Sequence, residues 1–255
     1  TAMQQSAYEL NCQAEDFMAK ENIITQSLTN DNARKYLTLP FDCHLVSYGN
    51  NIVASTSAAL TSTVKKYIDT YPAEHCFETP NLHVLNDALQ KEGLRICFMA
   101  EYFLPDLNRL KPLPTNYELR ILHQEDFKNL YIKEWGNALC EKRRHLDVLG
   151  VSAYDNNKLI GLAACSADCD TMYQIGIDVL FPYRRQGVAS ALTSALALEI
   201  LSLGKVPFYC AAWSNIKSVR NAVKCGFYPA LVELTAKPAS FVADMNEVKE
   251  SSTLL

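Results

Sequence analysis

The chain has 255 residues, 49% of them hydrophobic, enough to bury one or two cores, and a formal net charge of −4. That balance, with Lys142-Arg143-Arg144 as the only compact basic cluster, gives no electrostatic case for nucleic acid, and no apolar run approaches the roughly 20 residues that span a bilayer. Nine cysteines form no C-x-x-C pair, and the amino terminus lacks a charged-then-apolar signal pattern, so the expectation is reduced thiols in the cytoplasm.

Residues 1 to about 30 read as helical, with Tyr8, Cys12, Phe17, Ile23, Ile24 and Leu28 on a rough apolar stripe. Short strand-like pieces follow at Leu37 to Phe41 and His44 to Tyr48, then a turn at Asn50-Asn51 and a strand from Ile52 to Ser55. Helices are expected over Leu60 to Tyr71 and Leu82 to Lys91, the second closed by Gly93, and a strand over Arg95 to Phe103. Pro105, Pro112 and Pro114 then restrict helix and remove donors, which reads as a semi-rigid linker.

Beyond it come a strand at Tyr117 to Leu122, a helix opened near Gln124-Glu125-Asp126, and a helical piece carrying Trp135 and Cys140 to Arg144. Strands at Val148 to Tyr154 and Leu159 to Ser166 flank the hairpin turn Asp155-Asn156-Asn157. The central stretch, Tyr173 to Leu192, changes character midway. Up to Val179 it alternates like a pleated segment, with Gln174, Gly176 and Asp178 sharing one face. After the basic turn Arg184-Arg185-Gln186 comes Gly187, and then Val188, Leu192, Leu196 and Ile200 at helical spacing until Gly204. A strand thus feeds a tight basic turn that opens a helix, where unpaired N–H groups and the positive end of the dipole make an anion site. A strand at Val206 to Ala212 and a helix with Ser214 as N-cap and Gly226 at its left-handed end complete the pattern.

Arg184-x-x-Gly187-x-Ala189 resembles the pyrophosphate loop, R/Q-x-x-G-x-G/A, of the GCN5-related N-acetyltransferase (GNAT) superfamily. The run leading into it matches at Val179 and Tyr183-Arg184, with proline one place late at Pro182. Downstream, Asn215-x-x-Ser218, Ala222 and Gly226-Phe227 resemble the family's next helix and strand. The resemblance covers about Asn116 to Lys237 and implies an α/β fold, a mixed central sheet with helices on both faces. We therefore read residues 1–104 as an α/β amino-terminal domain, 105–115 as the linker, 116–238 as the acetyl-CoA-binding catalytic domain and 239–255 as a polar tail. The helix, glycine, strand order of residues 1–104 loosely echoes half of an acetyltransferase unit without its loop. It is either a degenerate repeat or an unrelated α/β domain.

The resemblance implies an N-acetyltransferase moving an acetyl group from acetyl-CoA to a primary amine of a small molecule by direct attack, with no metal, nucleic acid or membrane partner. It puts the cofactor against Val179 and Leu180, whose backbone would meet the pantetheine arm, and against Arg184, Arg185, Gln186, Gly187, Val188, Ala189 and Ser190, with Asn215 and Ser218 beyond. The two arginine side chains either contact phosphate or are solvated turn residues. Asp178 is the candidate general base or, equally, a structural partner of a neighbouring segment; Glu141, His145, Asp168 and Glu233 are weaker rivals. Trp135 lines an acceptor pocket or the core. Many relatives carry a tyrosine acid where this chain has Ala222, so Ser218 is left to hydrogen-bond the leaving sulfur. That departure favours the alternative of a non-catalytic acyl-CoA-binding or regulatory module. The spacing of Cys165, Asp168, Cys169 and Asp170 fits no common zinc arrangement, and no glycine is followed by Lys-Ser/Thr as in a Walker loop.

Overall fold

The computed structural model describes residues 1–247; the expected polar tail begins instead as a helix over Ala239–Asn246, and from Val248 onward it lies outside the described residues. In chain order the elements are α1 (Ala2–Leu10), β1 (Ile23–Gln26), β2 (Cys43–Ser47), β3 (Val53–Thr56), α2 (Thr61–Thr70), α3 (Thr79–Gln90), β4 (Leu94–Pro105), β5 (Glu118–His123), β6 (Asp147–Asp155), β7 (Lys158–Ser166), β8 (Met172–Val179), α4 (Val188–Ser202), β9 (Val206–Ala211), α5 (Ile216–Lys224), β10 (Phe227–Pro238) and α6 (Ala239–Asn246). The chain forms two compact units that are not consecutive segments. One comprises Thr1–Gln5, Asn32–Leu37 and Ala100–Leu231, the other Ser6–Asp31, Thr38–Met99 and the chain from Val232.

In the first unit the strands lie in the order β4-β9-β8-β7-β6-β5, with β8 and β9 parallel and the other pairs antiparallel. α4 covers one face: Val188, Leu192, Leu196 and Ile200, all buried, pack with Val151, Ala163, Cys165 and Ile175. A fully buried leucine or isoleucine contributes about 1.5–3 kcal/mol, so this stripe is a principal source of the unit's stability. The other face is covered by Phe127, Trp135, Ala138 and Leu139, which meet Leu162 and Ala164. The helices expected there are short 3₁₀ turns, Gln124–Asn129, Lys133–Trp135 and Glu141–Leu146. Each is too short to gain from α-helical cooperativity. The hairpin is as expected, with φ of 47° at Asn156 and 68° at Asn157, the left-handed pair that a type I′ turn requires.

The stretch 105–115 is a packed strap of this unit rather than a free linker. Leu110 is buried in its core, the Leu113 N–H donates to Ser194 Oγ at 3.0 Å, and the Asp106 N–H donates to the Gly226 carbonyl at 2.9 Å. Gly226 is needed twice over. Its φ is +92°, and a β-carbon there would meet the Leu110 nitrogen at 2.7 Å.

The second unit is also α/β. Its strands run β1-β3-β2-β10, with β4 beside β10, and Val64, Ile68, Leu85 and Leu89 of α2 and α3 bury against Leu45, Ala54 and Leu234. The expected single helical stretch over residues 1–30 is instead α1, a 3₁₀ turn at Ala14–Met18 and the strand β1. Ile23, Ile24 and Thr25 are β-branched, and their fit to a pleated surface beside β3 outweighs the loose helical stripe. Leu37 to Phe41 is irregular rather than a strand. The parallel pair here is β1 with β3, joined through β2, so this unit does not reproduce the β8-α4-β9 crossover.

Candidate active site

Where β8 and β9 part, the first unit opens. The two parallel strands are in register only from Met172↔Val206 to Gln174↔Phe208; β8 continues to Val179, while β9 goes on to pair with β4 through Tyr209, Cys210 and Ala211. Parting of parallel strands at their carboxyl ends is the general location of ligand sites in α/β sheets. The Leu180 N–H donates to the Ile160 carbonyl at 2.9 Å. Backbone groups of an antiparallel strand alternate between its two edges, so Ile177 and Val179 turn theirs away from β7, into the opening. The edge that can receive a ligand backbone is therefore Ile177 and the N–H of Val179, and Leu180 drops out of the expected pair because its donor is already used.

The loop after β8 delivers the chain into α4 with φ of 64° at Arg185 and 84° at Gly187. A left-handed non-glycine residue is strained and is held by its surroundings. The holding groups are visible: Arg184 Nε donates to the Val179 carbonyl at 2.8 Å, Gln186 Nε2 to the Pro182 carbonyl at 2.9 Å, and the Tyr117 hydroxyl to Gln186 Oε1 at 2.7 Å. Arg184 and Gln186 thus brace the loop with their side chains, while Arg185 is exposed. The first intrahelical bond of α4 runs from Ala191 N–H to the Gly187 carbonyl at 3.0 Å. The N–H groups of Val188, Ala189 and Ser190 precede it and form the anion-binding end of the helix. The side chains of Val188 and Ser190 point elsewhere: Val188 is buried in the core, and Ser190 Oγ donates to Asn221 Oδ1 at 3.0 Å, tying α4 to α5. Only their backbone can serve a ligand.

On α5 the N-cap is Asn215, not Ser214. Its side chain accepts from the Ser218 N–H at 3.3 Å. Ser218 Oγ lies 2.8 Å from the hydroxyl of Tyr209, the first residue of β9 beyond the last pair with β8. Burial pushes the Tyr209 phenol above its usual value, while hydrogen bonds from Ser218 and Asn221 oppose this. Ala222 is fully buried in the core.

The face of β8 opposite α4 carries Gln174, Gly176 and Asp178. Gln174 Nε2 donates to Cys210 Sγ at 3.0 Å. Asp178 receives the Asn137 N–H at 2.8 Å, Asn137 Nδ2 at 2.7 Å and the Ala138 N–H at 3.0 Å. With both oxygens engaged by donors of one segment, Asp178 has the hydrogen-bond partners that its structural reading requires. Of its rivals, Glu141 pairs with Arg144 on the surface, His145 is exposed, Asp168 is held by Arg143 and Ser166, and Glu233 belongs to the second unit, bonded to His44 at 2.8 Å. Trp135 is core.

A carboxylate not foreseen from sequence stands on the same face. A bulge at Val148, between Asp147↔Ser166 and Leu149↔Cys165, turns Asp147 from the α4 face to the Gln174 face. Asp147 is 1% exposed, and burial pushes its carboxyl up to about 6 against the opposing pull of the Cys140 N–H, Tyr131 and Arg143. Its only sequence signal was one acidic residue at the start of a strand. Among the described residues, no group of three or more His, Cys, Asp or Glu could hold a metal, and no helix is long and apolar enough to cross a membrane.

The family model described as GNAT acetyltransferase matches residues 66–230, beginning some fifty residues before the resemblance read from the motifs. No curated protein matches the sequence. Among solved structures, the chain is similar to a GCN5-related N-acetyltransferase-like protein from Streptococcus suis 89/1591, at 19% identity over 63% of this chain and 69% of that one, with a TM-score of 0.45. It is similar also to a GCN5-related N-acetyltransferase from Kribbella flavida, at 16% identity over 64% and 65% with a TM-score of 0.47. A Drosophila protein is similar at 12% identity over 82% and 78%, with a TM-score of 0.46. With the family model spanning well over half of its length, this chain belongs to the GNAT acetyltransferase family.

Proposed function

We propose that the protein is an acyl-CoA-dependent N-acyltransferase that moves an acetyl group from acetyl-CoA to the primary amine of a small molecule, in the cytoplasm. The observation that carries this reading is the opening between β8 and β9, with a backbone edge at Ile177 and the Val179 N–H leading to the start of α4. The residues fit the donor: the edge can pair with the pantetheine arm, and the N–H groups of Gly187, Val188, Ala189 and Ser190 can take the diphosphate, with Arg185 beside them. Bound there, acetyl-CoA supplies an electrophilic thioester carbonyl. The Val179 N–H polarises its oxygen, and Ser218 donates toward the sulfur from the start of α5. Asn215 shapes that turn, and Asp178 positions the Asn137-Ala138 segment over the acceptor face.

Nine free cysteines fit a reducing compartment. The net charge of −4 favours a cationic acceptor. Calorimetric titration of the full chain with CoA, followed by thiol release from acetyl-CoA on adding an amine panel, tests both halves. Failure to bind CoA removes the reading. The buried Ala222, which puts no polar group where relatives carry a tyrosine, favours the second reading of a non-catalytic acyl-CoA-binding module. That reading holds if CoA binds and no amine releases thiol.

A further inference from the structure

In the second unit, two nucleophilic side chains lie on adjacent strands. The Ala239 N–H donates to the Gly93 carbonyl at 2.9 Å, where β10 ends and β4 begins, so the two strands run antiparallel. Counting inward from that bond sets Cys97 opposite Thr235 and places Lys237 two residues further along β10. Diagonal positions share a face with β-carbons about 7–8 Å apart or less, within reach of a lysine side chain. Leu234 and Ala236 point into the helix-covered core, so Thr235 and Lys237 lie on the other face.

The amine of Lys237 is held in place. Its Nζ donates to Thr38 Oγ1 at 3.0 Å and stands 4.1 Å over the ring of buried Phe41. The Cys97 thiol is directed to Met245 Sδ at 3.8 Å, and both Cys97 and Lys237 are partly exposed. Each feels the other: partial burial lowers the Lys237 amine from its usual value and raises the Cys97 thiol, and their mutual attraction opposes both shifts. Desolvation thus increases the neutral, nucleophilic form of the lysine. The same burial keeps the thiol protonated, and the amine beside it is the base that can take that proton.

We propose that Cys97 and Lys237 form a self-acylation site, in which an acyl thioester is captured on Cys97 and passed to Lys237. In the first step Lys237 takes the thiol proton, Cys97 Sγ bonds to the acyl carbon, and the donor carbon–sulfur bond breaks. The departing thiolate takes the proton from the Lys237 ammonium, which restores the neutral amine. In the second step Nζ bonds to the acyl carbon, the Cys97 carbon–sulfur bond breaks, and the proton from nitrogen ends on Cys97. The net change is one amide and one free donor thiol. The rate advantage comes from converting attack on a dilute thioester into an intramolecular transfer. The product removes the charge that holds Lys237 to Thr38 and Phe41.

The site needs only an acyl thioester and does not rest on the loop of α4, so the test uses two donors, acetyl-CoA and the small thioester S-acetyl-N-acetylcysteamine. Acetylation of the full chain is followed by peptide mass spectrometry against time. Lys237 should be modified faster than the exposed Lys65, Lys66 and Lys91 with either donor. Cys97→Ser and Cys97→Ala should each slow Lys237 by roughly tenfold or more and leave the exposed lysines unchanged. The wild-type chain sampled at early times should carry a hydroxylamine-labile acetyl group on Cys97, and Lys237→Arg, which removes the base, should carry less of it. A Lys237 rate in the wild-type chain no faster than that of Lys65, or one unchanged without Cys97, overturns the proposal.

Discussion

Gly176 and Asn137 are in backbone contact across the central strand: a β-carbon on Gly176 would lie 2.0 Å from the Asn137 carbonyl oxygen and 3.1 Å from the Ala138 Cα. Asp178, on the same face, fastens the same two residues through three hydrogen bonds. Gly176→Ala should therefore push this segment off β8 and cost about 3 kcal/mol or more, since backbone cannot yield as a side chain tip can. Urea denaturation measures it. Asp178→Asn should cost on the order of 2 kcal/mol, because one acceptor oxygen becomes a donor facing donors. Its rate loss should be the same factor at every pH. A loss that an alkaline buffer restores would give Asp178 the role of base.

Gly187→Val should abolish CoA binding while the chain still folds. The nearest atom to an added β-carbon is the Pro114 carbonyl oxygen at 3.9 Å, so there is room in the protein, and the cost to the fold is the φ of +84°, about 1–2 kcal/mol. The branched side chain would occupy the space where a diphosphate approaches the amides of α4. Calorimetry on the variant, with circular dichroism for the fold, reads both effects.

Tyr209 and Ser218 should behave as one unit. Tyr209→Phe and Ser218→Ala each remove the same 2.8 Å hydrogen bond, so each should slow turnover by tenfold or less and the double variant little more than either. Burial raises the Tyr209 phenol, which makes it a reluctant proton donor. Turnover with both substrates saturating is the measurement. A thousandfold loss in Tyr209→Phe alone, with CoA affinity intact, would make that tyrosine the acid.

Asp147 should set part of the pH dependence of stability. Its carboxyl is raised from 3.8 to about 6 in the fold, so the folded chain binds this proton more tightly than the unfolded one. The resulting stabilisation is complete below the unfolded value and is lost as the pH rises through about 6. Thermal unfolding of Asp147→Asn should show a smaller fall in midpoint between about pH 5 and pH 7.5 than the wild-type chain. Equal falls in both would mean that the carboxyl titrates normally.

Local chemistry determined what could be read from sequence alone. The strand to Val179, the turn at Arg184 to Gly187, the helix stripe through Ile200 and the left-handed Gly226 depend on neighbours within a few residues, and the structure has them where expected. The β5-to-β10 order and the family followed from those local signals. What depended on partners far along the chain was decided by tertiary structure. Proline spacing could not show that Leu110 would be buried beneath the segment ending at Gly226, or that the chain would interleave two units instead of placing them in succession. Period 2 put Gln174, Gly176 and Asp178 on one face but could not say what would cover it. Asn137 and Ala138 lie some forty residues away, and only their arrival gives Asp178 its three hydrogen-bond donors. A single bulge at Val148 reverses the direction of Asp147, because side chains alternate along a strand and one extra residue exchanges the faces.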